Sequence, residues 1–185
     1  MMLWITVFQV SLSKFIPSQI YFCKTKLNFV FNLNYECEFV GYHLFLPIAT
    51  KNEVNTEYIL QVLAGKDKNI VVSKTNFETR TMSHILLQDN TILKLNPQNI
   101  PEPDDGIEIS SKQIEVVFVP LMAFDELGNR VGYGKGFYDI FLKKCSKNTL
   151  KIGLSFFEAE NFIIENTSHD VALDYCITPN QVYSF

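Results

Sequence analysis

A chain of 185 residues with 16 basic and 20 acidic side chains, net charge −4, and 47% hydrophobic content suffices for one domain with a sizeable core, or a domain with an arm. The mild acidity and the lack of a basic stripe exclude nucleic acid as the main partner. Four scattered cysteines (Cys23, Cys37, Cys145, Cys176), with no C-x-x-C and no histidine at ligand spacing, exclude a disulfide framework and a zinc site, and point to reduced thiols in the cytoplasm.

Residues 1–10 are apolar apart from Thr6 and Gln9. No positive region precedes them, no small-residue cleavage site follows, and about ten residues fall short of a bilayer, so neither a signal peptide nor a membrane span is expected. Residues 11–40 are rich in Phe, Asn and Tyr with neither a helical nor a strand period; Pro17 breaks any helix through it, and residues 27–31 read as weak strand at best. Residues 1–41 are therefore set apart as a divergent segment, and residues 42–185 as one α/β domain.

Organised sequence begins at Tyr42-His43-Leu44-Phe45-Leu46, an apolar strand ended by Pro47. Tyr58, Ile59, Val62 and Leu63 then recur at helical spacing, with Asn55 or Thr56 as N-cap and Gly65 just past the end. Asn69-Ile70-Val71-Val72-Ser73 is a second buried strand, making a right-handed βαβ unit. Residues 81–95 predict a two-strand hairpin turning at Asp89-Asn90, with His84 as a structural histidine. Asn99-Ile100-Pro101-Glu102-Pro103 is a stiff extended loop, since each proline restricts its predecessor.

Residues 116–142 organise the rest. Val116-Val117-Phe118-Val119, stopped by Pro120, has the continuous apolarity of a strand buried on both faces. Phe137, Tyr138, Ile140 and Phe141 mark one face of a short helix. Between them, Gly132, Gly134 and Gly136 permit positive φ and close approach of a ligand, and the helix start offers N–H groups to phosphate. Arg130 and Lys135 add positive charge, and Asp125 and Asp139 are candidate magnesium ligands. The spacing matches neither the Walker nor the Rossmann pattern. Residues 149–157 give another strand, with close approach at Gly153, and Tyr175-Cys176-Ile177-Thr178-Pro179 gives the last. Asp170 and Asp174, flanking that strand's approach, are expected to brace loops. The expected fold is a single three-layer α/β/α sandwich with a mostly parallel sheet and its site at the strand C-terminal edge.

Pro120, Ala123-Phe124-Asp125, Gly128-Asn129-Arg130, Gly132, Gly134-Lys135-Gly136 and Tyr138-Asp139 together resemble the signature of the 5-formyltetrahydrofolate cyclo-ligase family, and the similarity runs from about Tyr42 to the C-terminus. The resemblance implies ATP- and Mg2+-dependent closure of 5-formyltetrahydrofolate to 5,10-methenyltetrahydrofolate through a phosphorylated formyl group. It implies catalytic roles for Arg130, Lys135 and Tyr138, and phosphate contacts from Arg130, Gly132, Tyr133, Gly134, Lys135 and Gly136. Glu53, Thr56, Pro101, Glu102 and Tyr138 would border the folate, with Asp125 or Asp139 on the metal. The partners are a reduced folate and ATP, and the expected state is a cytoplasmic monomer. The family's basic N-terminal helix has no counterpart here: Lys14, Lys24 and Lys26 do not stand in its pattern. That departure keeps a second reading open, a non-catalytic folate- or nucleotide-binding homologue. A sugar-phosphate isomerase on a related scaffold is a weaker third, because only Glu53 offers itself as a general base.

Overall fold

A computed structural model describes residues 41–162, 167 and 169–185. The expectations placed on residues 1–40, with Cys23 and Cys37, lie outside the described residues. Strand β1 spans Gly41–His43, helix α1 Glu57–Ala64, β2 Asn69–Asn76, β3 Thr81–Leu86, β4 Leu93–Leu95 and β5 Pro101–Pro103. After them come β6 Ile114–Pro120, β7 Ala123–Phe124, β8 Arg130–Val131, helix α2 Phe137–Leu142, β9 Leu150–Leu154, β10 Tyr175–Ile177 and β11 Val182–Ser184.

Seven strands form one sheet in the order β11-β10-β9-β6-β1-β2-β3. The five inner strands are parallel, and β3 and β11 are antiparallel edges. Strand β6 sits at the centre, and Val116, Val117, Phe118 and Val119 are all 0% exposed. Its side chains alternate between two cores, as the strand period dictates. Val116 and Phe118 pack with Ile59 and Leu63 of α1, whereas Val117 and Val119 pack with Phe141 and Leu142 of α2. The helices therefore lie on opposite faces, giving the expected α/β/α layers. Burial of each such side chain contributes about 1.5–3 kcal/mol.

Several local expectations are corrected. Strand β3 does not pair with β4; it folds back on β2, and β4 pairs with β5. Both hairpins turn on an asparagine: Asn76 Oδ1 accepts from the N–H groups of Glu78 and Thr79, and Asn96 Oδ1 from those of Gln98 and Ile100. Such side-chain turns need neither glycine nor the Asp-Asn pair that the sequence advertised. The stretch expected as a stiff loop thus contains a paired strand, β5. A further strand, β11, follows the one expected to be last. On α2, Ile140 is 36% exposed, and Leu142 joins Phe141 in the core instead.

At α1, Thr56 occupies the N-cap position, but its hydroxyl donates to Phe45 O (2.7 Å), and it is Asn55 Oδ1 that accepts from Glu57 N–H (2.8 Å). The close approach at Gly153 comes from side chains: a Cβ there would lie 2.7 Å from methyls of Leu121 and Leu173. Among the described residues, no helix is long and apolar enough to cross a membrane.

Candidate functional site

Because the five inner strands are parallel, their C-terminal ends open on one edge of the sheet, where such folds hold ligands. The loop after β1 and the loop after β6 meet there. Glu53 comes from the first; its Oε2 accepts from the Ile48 N–H at 2.7 Å. Tyr133 comes from the second, is 46% exposed, and makes a side-chain hydrogen bond with Glu53. Burial of its hydroxyl, followed by that hydrogen bond and the charge of Glu53, pushes the Tyr133 phenol up to about 12. Tyr138, the second residue of α2, is also raised, first by burial and then by Glu53, with Arg130 opposing. Both phenols thus stay protonated at neutral pH and act as hydrogen-bond donors. The Lys51 ammonium lies 5.8 Å from the centre of the Tyr133 ring.

Beside this group, residues 132–136 are all exposed. Gly134 and Gly136 have φ of 75° and 69°, in the left-handed region that favours glycine, and a Cβ at Gly132, Gly134 or Gly136 would meet nothing within 4 Å. The loop is an open cradle with backbone groups available to an anion. The Lys135 ammonium lies 4.8 Å from the centre of the Phe77 ring, which meets Phe137 edge-on at 5.4 Å. Helix α2 has only six residues, so the predicted dipole at its start is weak and the loop carries more of the anion argument.

Other predicted site residues are occupied within the fold. Asp125 is 1% exposed; its Oδ1 accepts from the N–H groups of Leu127 (3.0 Å) and Asn129 (2.9 Å), and its Oδ2 from Asn129 Nδ2 (2.8 Å). It closes the turn between β7 and β8. Arg130 is 5% exposed in its side chain, donates to Asp139 Oδ1 at 2.7 Å and donates to the carbonyl of Val171. Asp139 Oδ1 also accepts from Val171 N–H (3.1 Å), so the pair pins α2 to the approach to β10. Both oxygens of Asp125 are thus engaged, whereas the hydrogen bonds of Asp139 fall on Oδ1 and its side chain stays 23% exposed. Among the described residues, no group of three or more His, Cys, Asp or Glu side chains is placed to hold a metal.

Thr56 is 1% exposed and spent on Phe45 O, while Pro101 lies in β5. Glu102 is 8% exposed, and its Oε1 accepts from Thr75 N–H at 2.9 Å, stitching β5 to β2. At the far end, Asp170 accepts from Thr167 N–H and hydroxyl, and Asp174 from Lys151 N–H and ammonium, bracing their loops. Sequence reasoning missed Lys51 and Phe77. Lys51 stands two positions before Glu53, which was a usable signal; Phe77 lies past the expected end of β2 and became visible only when that strand extended to Asn76.

Comparison with known proteins gives the family and agrees with the fold. The model of the 5-formyltetrahydrofolate cyclo-ligase family matches residues 42–179. The 5-formyltetrahydrofolate cyclo-ligase of Mycoplasma genitalium is 41% identical over 135 residues, covering 72% of this chain and 69% of its own. That of Mus musculus is 30% identical over 105 residues, covering 53% of this chain and 52% of the mouse protein. Its aligned part thus spans about half the length of that relative. The NMR structure of Aquifex aeolicus 5,10-methenyltetrahydrofolate synthetase superposes with a TM-score of 0.68 at 25% identity, covering 90% of this chain and 79% of that one.

Proposed function

Because the chain belongs to the 5-formyltetrahydrofolate cyclo-ligase family, we propose that it closes 5-formyltetrahydrofolate to 5,10-methenyltetrahydrofolate at the expense of ATP. ATP supplies a phosphoryl group to the formyl oxygen, which turns a poor leaving group into a good one. The N10 amine of the folate, outside the pterin ring, then attacks the activated carbon and gives up its proton, and phosphate departs with the former formyl oxygen. Such chemistry asks a protein mostly for positioning and charge neutralisation.

The observation that carries this reading is the open glycine loop 132–136, bearing Lys135 beside the Glu53–Tyr133–Tyr138 group. Backbone N–H groups of the loop and the Lys135 ammonium bind phosphate oxygens. Glu53 accepts from N–H groups of the folate, and the protonated phenols of Tyr133 and Tyr138 orient the two ligands. Arg130 acts from behind, through Asp139 and Val171, to hold α2 at the site. No nucleophilic side chain is required. In this reading it acts as a cytoplasmic monomer.

The test is to mix the purified chain with 5-formyltetrahydrofolate, ATP and Mg2+ and follow the near-ultraviolet absorbance of methenyl-folate. A rise that requires ATP is the expected result. Folate binding by calorimetry without any rise would overturn the catalytic reading in favour of the binding homologue.

A further inference from the structure

Beneath α2 lies a cluster that the proposed chemistry does not use. His43 on β1 is 0% exposed, and His84 on β3 is 3% exposed. His43 Nε2 and the Ser73 hydroxyl on β2 are 2.7 Å apart. The two imidazoles meet edge-on at 5.5 Å between ring centres. His84 lies against the Phe141 ring at 3.9 Å, and His43 touches Phe141 at 4.9 Å and Tyr138 at 5.9 Å. Three strands thus present polar side chains to the underside of one short helix, where apolar residues would pack at lower desolvation cost.

The Nδ1 atoms of both histidines are buried without a hydrogen-bond partner. A neutral imidazole tolerates one unpaired nitrogen, but an imidazolium needs an acceptor at each N–H. Among the described residues, the groups that shift the pair's protonation include no carboxylate. The pair is faced by Ser73 from β2, Tyr138 and Phe141 from α2, and the positive charge of Lys144 just beyond it. We propose that the His43–Ser73–His84 cluster positions α2, and through it Tyr138, for the reaction, and that it does so only while both imidazoles are neutral. This rests on the reading of Tyr138 as a site residue.

Burial, then Lys144, holds His84 down to about 4 from 6.5, and burial, then His84, holds His43 well below its usual value. When α2 lifts and water reaches the rings, both return toward their ordinary value. The lifted state then binds more protons than the seated one, so seating is fully favoured above pH 6.5 and is lost as pH falls toward about 4.

The test is hydrogen exchange on the full chain across that window, comparing two places. The amides of Ile140 and Lys143 close α2 onto Gly136 O and Asp139 O, while those of Val117 and Phe118 lie in the central strand. Protection at α2 is expected to fall by about tenfold or more before the β6 amides respond. In His84→Met, which keeps the volume and removes one of the two titrating groups, that early fall is expected to be smaller than in the wild-type chain by about threefold or more, with His43 carrying the remainder. A simultaneous loss at α2 and β6 would reduce the cluster to a term in global stability and overturn the inference, as would a wild-type acid response in the variant. Should the variant not fold, imidazole and Tyr138 resonances of the wild-type chain decide the matter. A shared titration midpoint supports the coupling, and separate midpoints overturn it. The pH profile of methenyl-folate formation adds the functional readout, with turnover expected to fall alongside α2 protection. An α2 response in a chain that forms no product would leave the positioning cluster standing and sink the cyclo-ligase reading alone.

Discussion

The stretch between β6 and α2 contains two halves of opposite character. Residues 125–130 are locked: Asp125 receives three hydrogen bonds, Arg130 is buried in an ion pair, and a Cβ on Gly128 would sit 2.8 Å from Phe185 and 2.9 Å from Leu173 O. Residues 132–136 are open, with no atom near any glycine Cβ position and Lys135 exposed. Charged residues and glycines occur in both halves, so residue type alone does not separate scaffold from ligand contact. Burial and hydrogen-bond saturation do. The locked half fixes where the open half stands.

The largest expected effect comes from breaking the locked half. Arg130→Ala leaves Asp139 without its cation and Val171 O without its donor, and is expected to cost about 3–5 kcal/mol of folding stability. A denaturant midpoint unchanged from wild type would show that the pair is not structural. Gly128→Ala comes next, at about 3 kcal/mol, because a positive φ of 80° adds to the clash with Phe185 and Leu173. Thermal unfolding measures it, and a shift no larger than that of an exposed substitution would contradict the crowding.

In the open half the effects move from stability to turnover. Lys135→Ala is expected to leave folding within about 0.5 kcal/mol of wild type. Its kcat/KM for ATP should fall by about 10- to 100-fold, the loss of one charge-assisted contact. Unchanged kinetics would remove Lys135 from the phosphate site. The smallest effect is for Gly134→Ala, where only the left-handed backbone at φ 75° is strained, at about 1 kcal/mol. Calorimetric unfolding of the two alanine variants side by side sharpens the contrast: Gly128→Ala must exceed Gly134→Ala if crowding distinguishes the halves.

Much of the fold was legible. The unbroken apolarity of Val116-Val117-Phe118-Val119 marked the central strand, and the spacing of Ile59 and Leu63 marked α1. The alternating glycines of residues 132–136 marked the loop that stands open and exposed. What misled was partner choice. The segments holding β3 and β4 both read as strands, but Asp89-Asn90 suggested pairing them with each other, whereas Asn76 and Asn96 turn each toward another neighbour. Asp125 and Asp139 read alike as candidate metal ligands because two carboxylates near a glycine loop suit magnesium, and nothing local announced that both oxygens of Asp125 accept from its own turn while Asp139 uses only Oδ1.

The sequence by itself determined the five inner strands of the main sheet, the two helices, the family and the exposed glycine loop, because periodicity and backbone freedom are properties of neighbouring residues. The tertiary structure decided which charges are free to meet a ligand. Arg130 is held by Val171, Glu102 by Thr75 and His43 by Ser73, across separations of 41, 27 and 30 residues. A buried polar group must find a partner or bear the loss of its hydration, and at such separations the partner is chosen by how the sheet and helices assemble.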